Sequence, residues 1–155
     1  MKKLLVVLIA LFALLSGYGL NQYLEPDFET LNGNTYKWHN SQGEWTVVNY
    51  FAQWCAPCLR ELPELNEFYH QYGDTIRLFA ISYDAMSDDE LLAMQKQHNI
   101  QFQMLKALKN APWNSAPTGL PATYIISPDG KLMSQLKGEQ TAVKLKQTID
   151  RLKAL

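Results

Sequence analysis

Residues Leu4 to Leu15 are wholly apolar and follow Met1-Lys2-Lys3, and Ser16-Gly17-Tyr18-Gly19 then dilute the run. A basic start ahead of an apolar stretch is the pattern of an export signal. Residues 1–20 are therefore expected to be a signal peptide or signal anchor, and residues 21–155 the folded domain. No lipobox cysteine follows the run. Leu4 to Leu20 lies at the short end for a spanning helix, and no clean small-x-small cleavage site stands out, which favours retention as an anchor. Lys2 and Lys3 would stay in the cytoplasm by the positive-inside rule, with the rest of the chain on the opposite side.

Past the leader, runs of period 2 and of helical period alternate. Phe28 to Leu31 and Thr35 to Trp38 read as short strands around the turn Asn32-Gly33-Asn34. Trp45 to Phe51 is a continuous β-preferring apolar run, the mark of a strand buried on both faces. From Ala56 to about Tyr72 the apolar positions Leu62, Leu65, Phe68, Tyr69 and Tyr72 form a helical stripe, which Pro63 is expected to kink. Ile76 to Ser82 is a second apolar strand. Ser87-Asp88-Asp89-Glu90 is a capping box opening a helix to about His98, and Ile100 to Leu105 reads as a short strand. Ala107 to Gly119 is a loop. Thr123 to Ser127 and Leu132 to Leu136 flank the turn Pro128-Asp129-Gly130-Lys131, and Leu145, Ile149 and Leu152 mark a last helix from Thr141. Strand and helix alternate first and a hairpin comes late, so an α/β protein with a mixed central sheet and helices on both faces is expected.

Composition adds little to that outline. With 155 residues, 47% of them hydrophobic and 19% charged, the chain suits a single domain with a real core. A net charge of −1 without a basic stripe gives no footing for nucleic acid. The loose basic cluster Lys144, Lys146, Arg151 and Lys153 fits the solvated face of the last helix.

The two cysteines change the picture. Cys55 and Cys58 are the only ones and sit two residues apart. A bridge between them would close a very small loop and restrict the unfolded chain little, so the pair suits chemistry better than stapling. Trp54-Cys55-Ala56-Pro57-Cys58 falls where the central strand ends and a helix begins. A helix N-terminus offers free N–H groups and partial positive charge, and both favour a thiolate. Cys55 is thus expected to be the exposed nucleophile, and Cys58, buried one turn further in, the resolving thiol. Zinc would need about four ligands, and His39, His70 and His98 are scattered, so no metal is expected. Covalent haem attachment needs histidine after the second cysteine, and Leu59 stands there. No cofactor is expected.

The stretch around the motif resembles the active site of thioredoxin-fold proteins, and more closely the membrane-anchored TlpA-like branch that includes the ResA and CcmG (DsbE) reductases. The resemblance covers Pro26 to Leu155. It implies a thioredoxin fold with an N-terminal hairpin and an inserted helix and strand, here Asp84 to about Lys109. Val47-Val48-Asn49-Tyr50-Phe51-Ala52 resembles the strand before the motif, with Asn49 where cytoplasmic thioredoxins have a buried aspartate. Glu61, ahead of Leu62-Pro63, matches a glutamate of this branch and implies an acceptor for the Cys58 proton; a surface helix residue is the other role open to it. Gly119-Leu120-Pro121-Ala122-Thr123 resembles the cis-proline loop that faces the motif, where the backbone of Leu120 would pair with an incoming substrate strand. Trp54 and Pro57 would flank that substrate. One departure stands out: CcmG members have an acidic residue after that proline, and Ala122 is here. Cytochrome c assembly and a more general role both stay open.

By the same resemblance the protein would act as a monomer on protein disulfides and dithiols at the periplasmic side of the inner membrane, or free in the periplasm if the leader is cut. Pro57 without a cation at Ala56 implies a reductant rather than a strong oxidant, recharged by a membrane electron donor. Two other classes are open: a more oxidising exchange protein, and a redox-inert binding module presenting the Pro121 loop and Trp113. A peroxidase of the peroxiredoxin type would need Thr-x-x-Cys, and Thr46 is nine residues from Cys55.

Overall fold

The computed structural model describes residues 25–40 and 42–155, together with Leu11, Phe12 and Ser16. The expected export segment therefore lies almost wholly outside the described residues, and among these no helix is long and apolar enough to cross a membrane.

Seven strands form one mixed sheet in the order β2-β1-β5-β4-β3-β6-β7. They are β1 (Phe28–Thr30), β2 (Thr35–Tyr36), β3 (Trp45–Phe51), β4 (Ile76–Ser82), β5 (Gln103–Leu108), β6 (Ala122–Ile126) and β7 (Leu132–Lys137). Helices α1 (Ala56–Tyr72), α2 (Asp88–Gln97) and α3 (Ala142–Lys153) complete the domain. Strand β3 is buried at every position because it lies at the centre, parallel to β4 and antiparallel to β6. Its continuous apolar run is what two covered faces demand.

The mixed sheet and its elements follow the sequence pattern, but the helices do not divide between the faces. The buried side chains of α1, α2 and α3 all join one cluster with Val47, Phe51, Leu78 and Ile125. The reason is topological. The crossovers β3–α1–β4 and β4–α2–β5 both join parallel neighbours and step in the same direction along the sheet. Right-handed crossovers taken twice in one direction put both helices on one face. The other face is closed by aromatic side chains from strands and loops. Trp113 stacks on Tyr124 with ring centroids 4.7 Å apart, Trp38 meets Trp113 edge-on, and Phe28 and Phe79 fill the space beside them.

Two boundaries differ from expectation. The fifth strand runs over Gln103–Leu108 and not Ile100 to Leu105, because its far end pairs antiparallel with β1, a partner that local sequence does not reveal. The second strand stops at Tyr36, after which Asp27 accepts a hydrogen bond from the Trp38 N–H and Arg77 donates to the Lys37 and Trp38 carbonyls. Helix α1 continues through Pro63, whose ring lies on its exposed side. The capping box of α2 forms as read: the Ser87 hydroxyl accepts from the Glu90 N–H and the Glu90 carboxylate from the Ser87 N–H.

Candidate active site

Strand β3 delivers the chain to Cys55, which is the N-cap of α1. Its Sγ accepts a hydrogen bond from the Cys58 N–H at 3.3 Å. Pro57 sits in the first turn, where its missing N–H costs nothing. That turn contains no acidic residue, so nothing competes with sulfur for the positive end of the helix dipole. The two sulfurs are joined by a disulfide bond. Cys58 is fully buried, as expected. Cys55 is not the exposed group that the sequence suggested: only 5% of it reaches solvent, because its sulfur turns in to the Cys58 amide and into the core cluster beside Ala52.

Trp54, by contrast, is 66% exposed. Its indole N–H donates to Asp84 at 2.8 Å, and its ring meets Tyr83 edge-on. Both partners follow β4, whose C-terminal end lies beside that of β3. The indole is thus held from two sides while its face stays open.

The Leu120–Pro121 peptide is cis. Pro121 leads directly into β6, and Ala122 pairs with Tyr50. The proline loop therefore reaches the same end of β3 from which the cysteine motif departs. The Gly138 N–H donates to the Pro121 carbonyl at 2.9 Å. Gly138 has φ of +77°, a backbone state glycine adopts without Cβ strain.

Glu61 is 1% exposed, so the surface role that its helical position left open is excluded. One oxygen accepts from Asn49 Nδ2 at 2.8 Å, the other from the Gln140 backbone N–H at 2.8 Å. Asn49 Nδ2 also reaches Thr123 Oγ1 at 3.1 Å. Burial lifts the Glu61 carboxyl to about 7; the hydrogen bonds from Gln140 and Asn49 pull it down, and the charge of Glu139 pushes it up. Asn49, on the central strand, and Glu61, on the neighbouring helix, are thus joined directly inside the core. Cys58 and Glu61 are one turn apart on α1, a spacing that sets side chains against each other.

The pattern of apolar positions did not reveal Asp84, Tyr83, Gln140 or Glu64. Each depends on a partner far away in sequence. Glu64, the exception in having a visible cue, stands one turn beyond Glu61 and accepts from the Ala142 N–H at 3.0 Å; a carboxylate repeated on one helix face was the signal available. Trp113, considered as a presented side chain, is 9% exposed and packed between Trp38, Tyr50 and Tyr124.

A dithiol–disulfide pair capping a helix at the end of a central strand, beside a cis-proline loop, defines the thioredoxin-fold class of thiol–disulfide oxidoreductases. The chain belongs to the AhpC/TSA family, whose model matches residues 24–135. It is 27% identical over 131 residues to the thioredoxin-like protein YneN of Bacillus subtilis, covering 81% of this chain and 76% of that one. It is 26% identical over 131 residues to the thiol-disulfide oxidoreductase ResA of Bacillus thuringiensis, covering 79% and 71%. Among solved structures, StoA of Bacillus subtilis superposes with a TM-score of 0.61 at 20% identity, over 77% of this chain and 92% of that one. An exposed lipoprotein thioredoxin of Streptococcus pneumoniae gives 0.63 at 22% identity, over 83% and 97%.

Proposed function

We propose that this protein is an exported reductant of protein disulfides, and that Cys55 and Cys58 carry the exchange with Glu61 as proton acceptor. The observation that carries it is the Cys55–Cys58 disulfide at the N-cap of α1 beside the cis Pro121 loop, with the buried Glu61 carboxyl one helical turn behind Cys58. In the reduced protein the Cys55 thiolate attacks one sulfur of a substrate disulfide. That S–S bond breaks, the other substrate sulfur leaves as a thiolate and takes a proton from water, and a Cys55–substrate disulfide forms. Cys58 passes its proton to Glu61 and attacks the Cys55 sulfur. The second substrate sulfur leaves, and the Cys55–Cys58 bond forms. Two electrons have moved to the substrate, and a dithiol donor must restore them.

The exposure of Trp54 and the cis Leu120–Pro121 bond support the remaining roles in this reading. The open face of Trp54 and the ring of Pro57 flank the incoming sulfur. The backbone of Leu120, ahead of the cis Pro121, is the edge on which an extended substrate segment would pair. Direction follows from the motif: Ala56 and Pro57 add no cation to stabilise a thiolate beyond what the helix end supplies, so the couple is reducing. The apolar run behind Lys2 and Lys3 supports export and a membrane donor. The B. thuringiensis relative is itself named a thiol-disulfide oxidoreductase.

Insulin reduction with dithiothreitol as donor tests the activity: Cys55→Ser abolishes it, and Cys58→Ser accumulates a protein–substrate mixed disulfide. Equal rates for wild type and Cys55→Ser would overturn the assignment. Titration of the couple against a thiol buffer tests direction. It should fall nearer thioredoxin's ~−270 mV than DsbA's ~−120 mV, and a value beside DsbA would reverse the direction.

A further inference from the structure

Helix α1 grips the connection between β7 and α3 at three successive points. Arg60 pairs with Glu139, Glu61 accepts from the Gln140 N–H, and Glu64 accepts from the Ala142 N–H. Gln140 is 1% exposed, and its side chain turns back to donate from Nε2 to the Gly138 carbonyl at 2.7 Å. Gly138 in turn donates its N–H to the Pro121 carbonyl. A continuous path of three hydrogen bonds therefore runs from the carboxylate behind the cysteines to the proline loop: Glu61 to Gln140, Gln140 to Gly138, Gly138 to Pro121.

We propose that Gln140 is a positioning residue that transmits the charge state of Glu61 to the backbone around Pro121. This rests on the roles given above to Glu61 and to the Pro121 loop. A hydrogen bond to a carboxylate is roughly twice as strong as one to a neutral acceptor. When Glu61 is ionised it holds the Gln140 amide firmly, and the 138–140 turn with it. When Glu61 receives a proton that hold weakens, the turn relaxes, and the Pro121 carbonyl shifts with Gly138. In turnover the proton arrives as Cys58 attacks, which is when the substrate strand has to leave. Linkage makes the coupling reciprocal: a segment paired on Leu120 shifts the titration of Glu61.

The groups set against Glu61 include the Gln140 N–H and the charge of Glu139 from the turn. On α1, Cys58 and Glu64 stand one turn to either side, while Arg60 pairs outward with Glu139. Strands β3 and β6 bring the neutral Asn49 and Thr123. In the oxidised protein Cys58 has no proton to give, so a pH titration of that form reads the Glu61–Gln140 path without the exchange reaction.

The experiment is an NMR titration of the oxidised protein, following the Glu61 side-chain carboxyl and the amides of Leu120, Ala122 and Gly138. In the wild type all four should share one inflection, and Glu61→Gln should abolish it. In Gln140→Met and Gln140→Ala the Glu61 inflection should persist, while the shifts at Leu120, Ala122 and Gly138 are largely lost. Amides silent in the wild type overturn the proposal without any variant. So do amides that follow Glu61 equally in a folded Gln140 variant, since the field of the carboxylate alone would then account for them. Loss of insulin reduction with the NMR pattern intact would instead count against the redox assignment and leave the coupling standing.

Discussion

Glu61 is the residue on which physical chemistry bears most directly. Its folded-state value lies above the 4.5 of an ordinary glutamate, at about 7, chiefly through burial. The folded protein therefore holds this proton more tightly than the unfolded chain. The resulting stability is complete below about 4.5 and is lost as pH rises through about 7. At ~1.4 kcal/mol per unit the contribution is at most about 3–4 kcal/mol. The urea midpoint of the oxidised protein should fall between pH ~4.5 and pH ~8, and Glu61→Gln should remove that part of the slope; parallel curves for the two proteins would contradict this. Trp54 makes a second prediction. Asp84→Ala frees an exposed indole without opening the core, so stability should change by less than ~0.5 kcal/mol. KM for a protein disulfide should rise several-fold, and an unchanged KM would remove Trp54 from the substrate face.

Among the elements, α2 owes its start to local chemistry and its place to topology. Ser87→Ala deletes the hydroxyl half of the capping box and should cost about 1 kcal/mol in chemical unfolding, with insulin reduction retained at neutral pH. No loss of stability would mean that the packing of Leu91 and Met94 alone fixes the helix. The capping box was legible because its two residues are three apart. The boundaries of β5 were not, because they are set by β1, tens of residues earlier. Helix α1 lies between these cases: its stripe and its N-cap were visible, whereas the burial of Glu61 depends on Gln140, 79 positions away.

For the whole molecule, the sheet is covered by helices on one side and by interlocked rings on the other. Trp113 is the keystone of the ringed side, touching Trp38, Tyr50 and Tyr124 and donating its N–H to the Tyr50 hydroxyl. Trp113→Ala should cost ~3–5 kcal/mol, as truncation of a large buried aromatic does, and should loosen both the N-terminal hairpin and β6 in hydrogen exchange. A loss under ~1 kcal/mol would show that the loop collapses into the space. The alternation of strand and helix gave away the class of fold, because both periods are local. Which face each helix takes was not legible, since it depends on the spatial order β3, β4, β5. The cysteine pair and the proline were readable as motifs. Their convergence at one end of β3 depended on the antiparallel register of Tyr50 with Ala122.

The three grips between α1 and residues 139–142 also set an order in time. Cys55 and Cys58 leave the ribosome long before Glu139, Gln140 and Ala142. Until that tail docks, Glu61 has no amide from residue 140 to hold. A chain cut short before Glu139 would own both sulfurs and all seven strands, yet lack the backbone N–H groups that Glu61 and Glu64 hold. The redox pair is therefore finished last, by the end of the chain farthest from it in sequence.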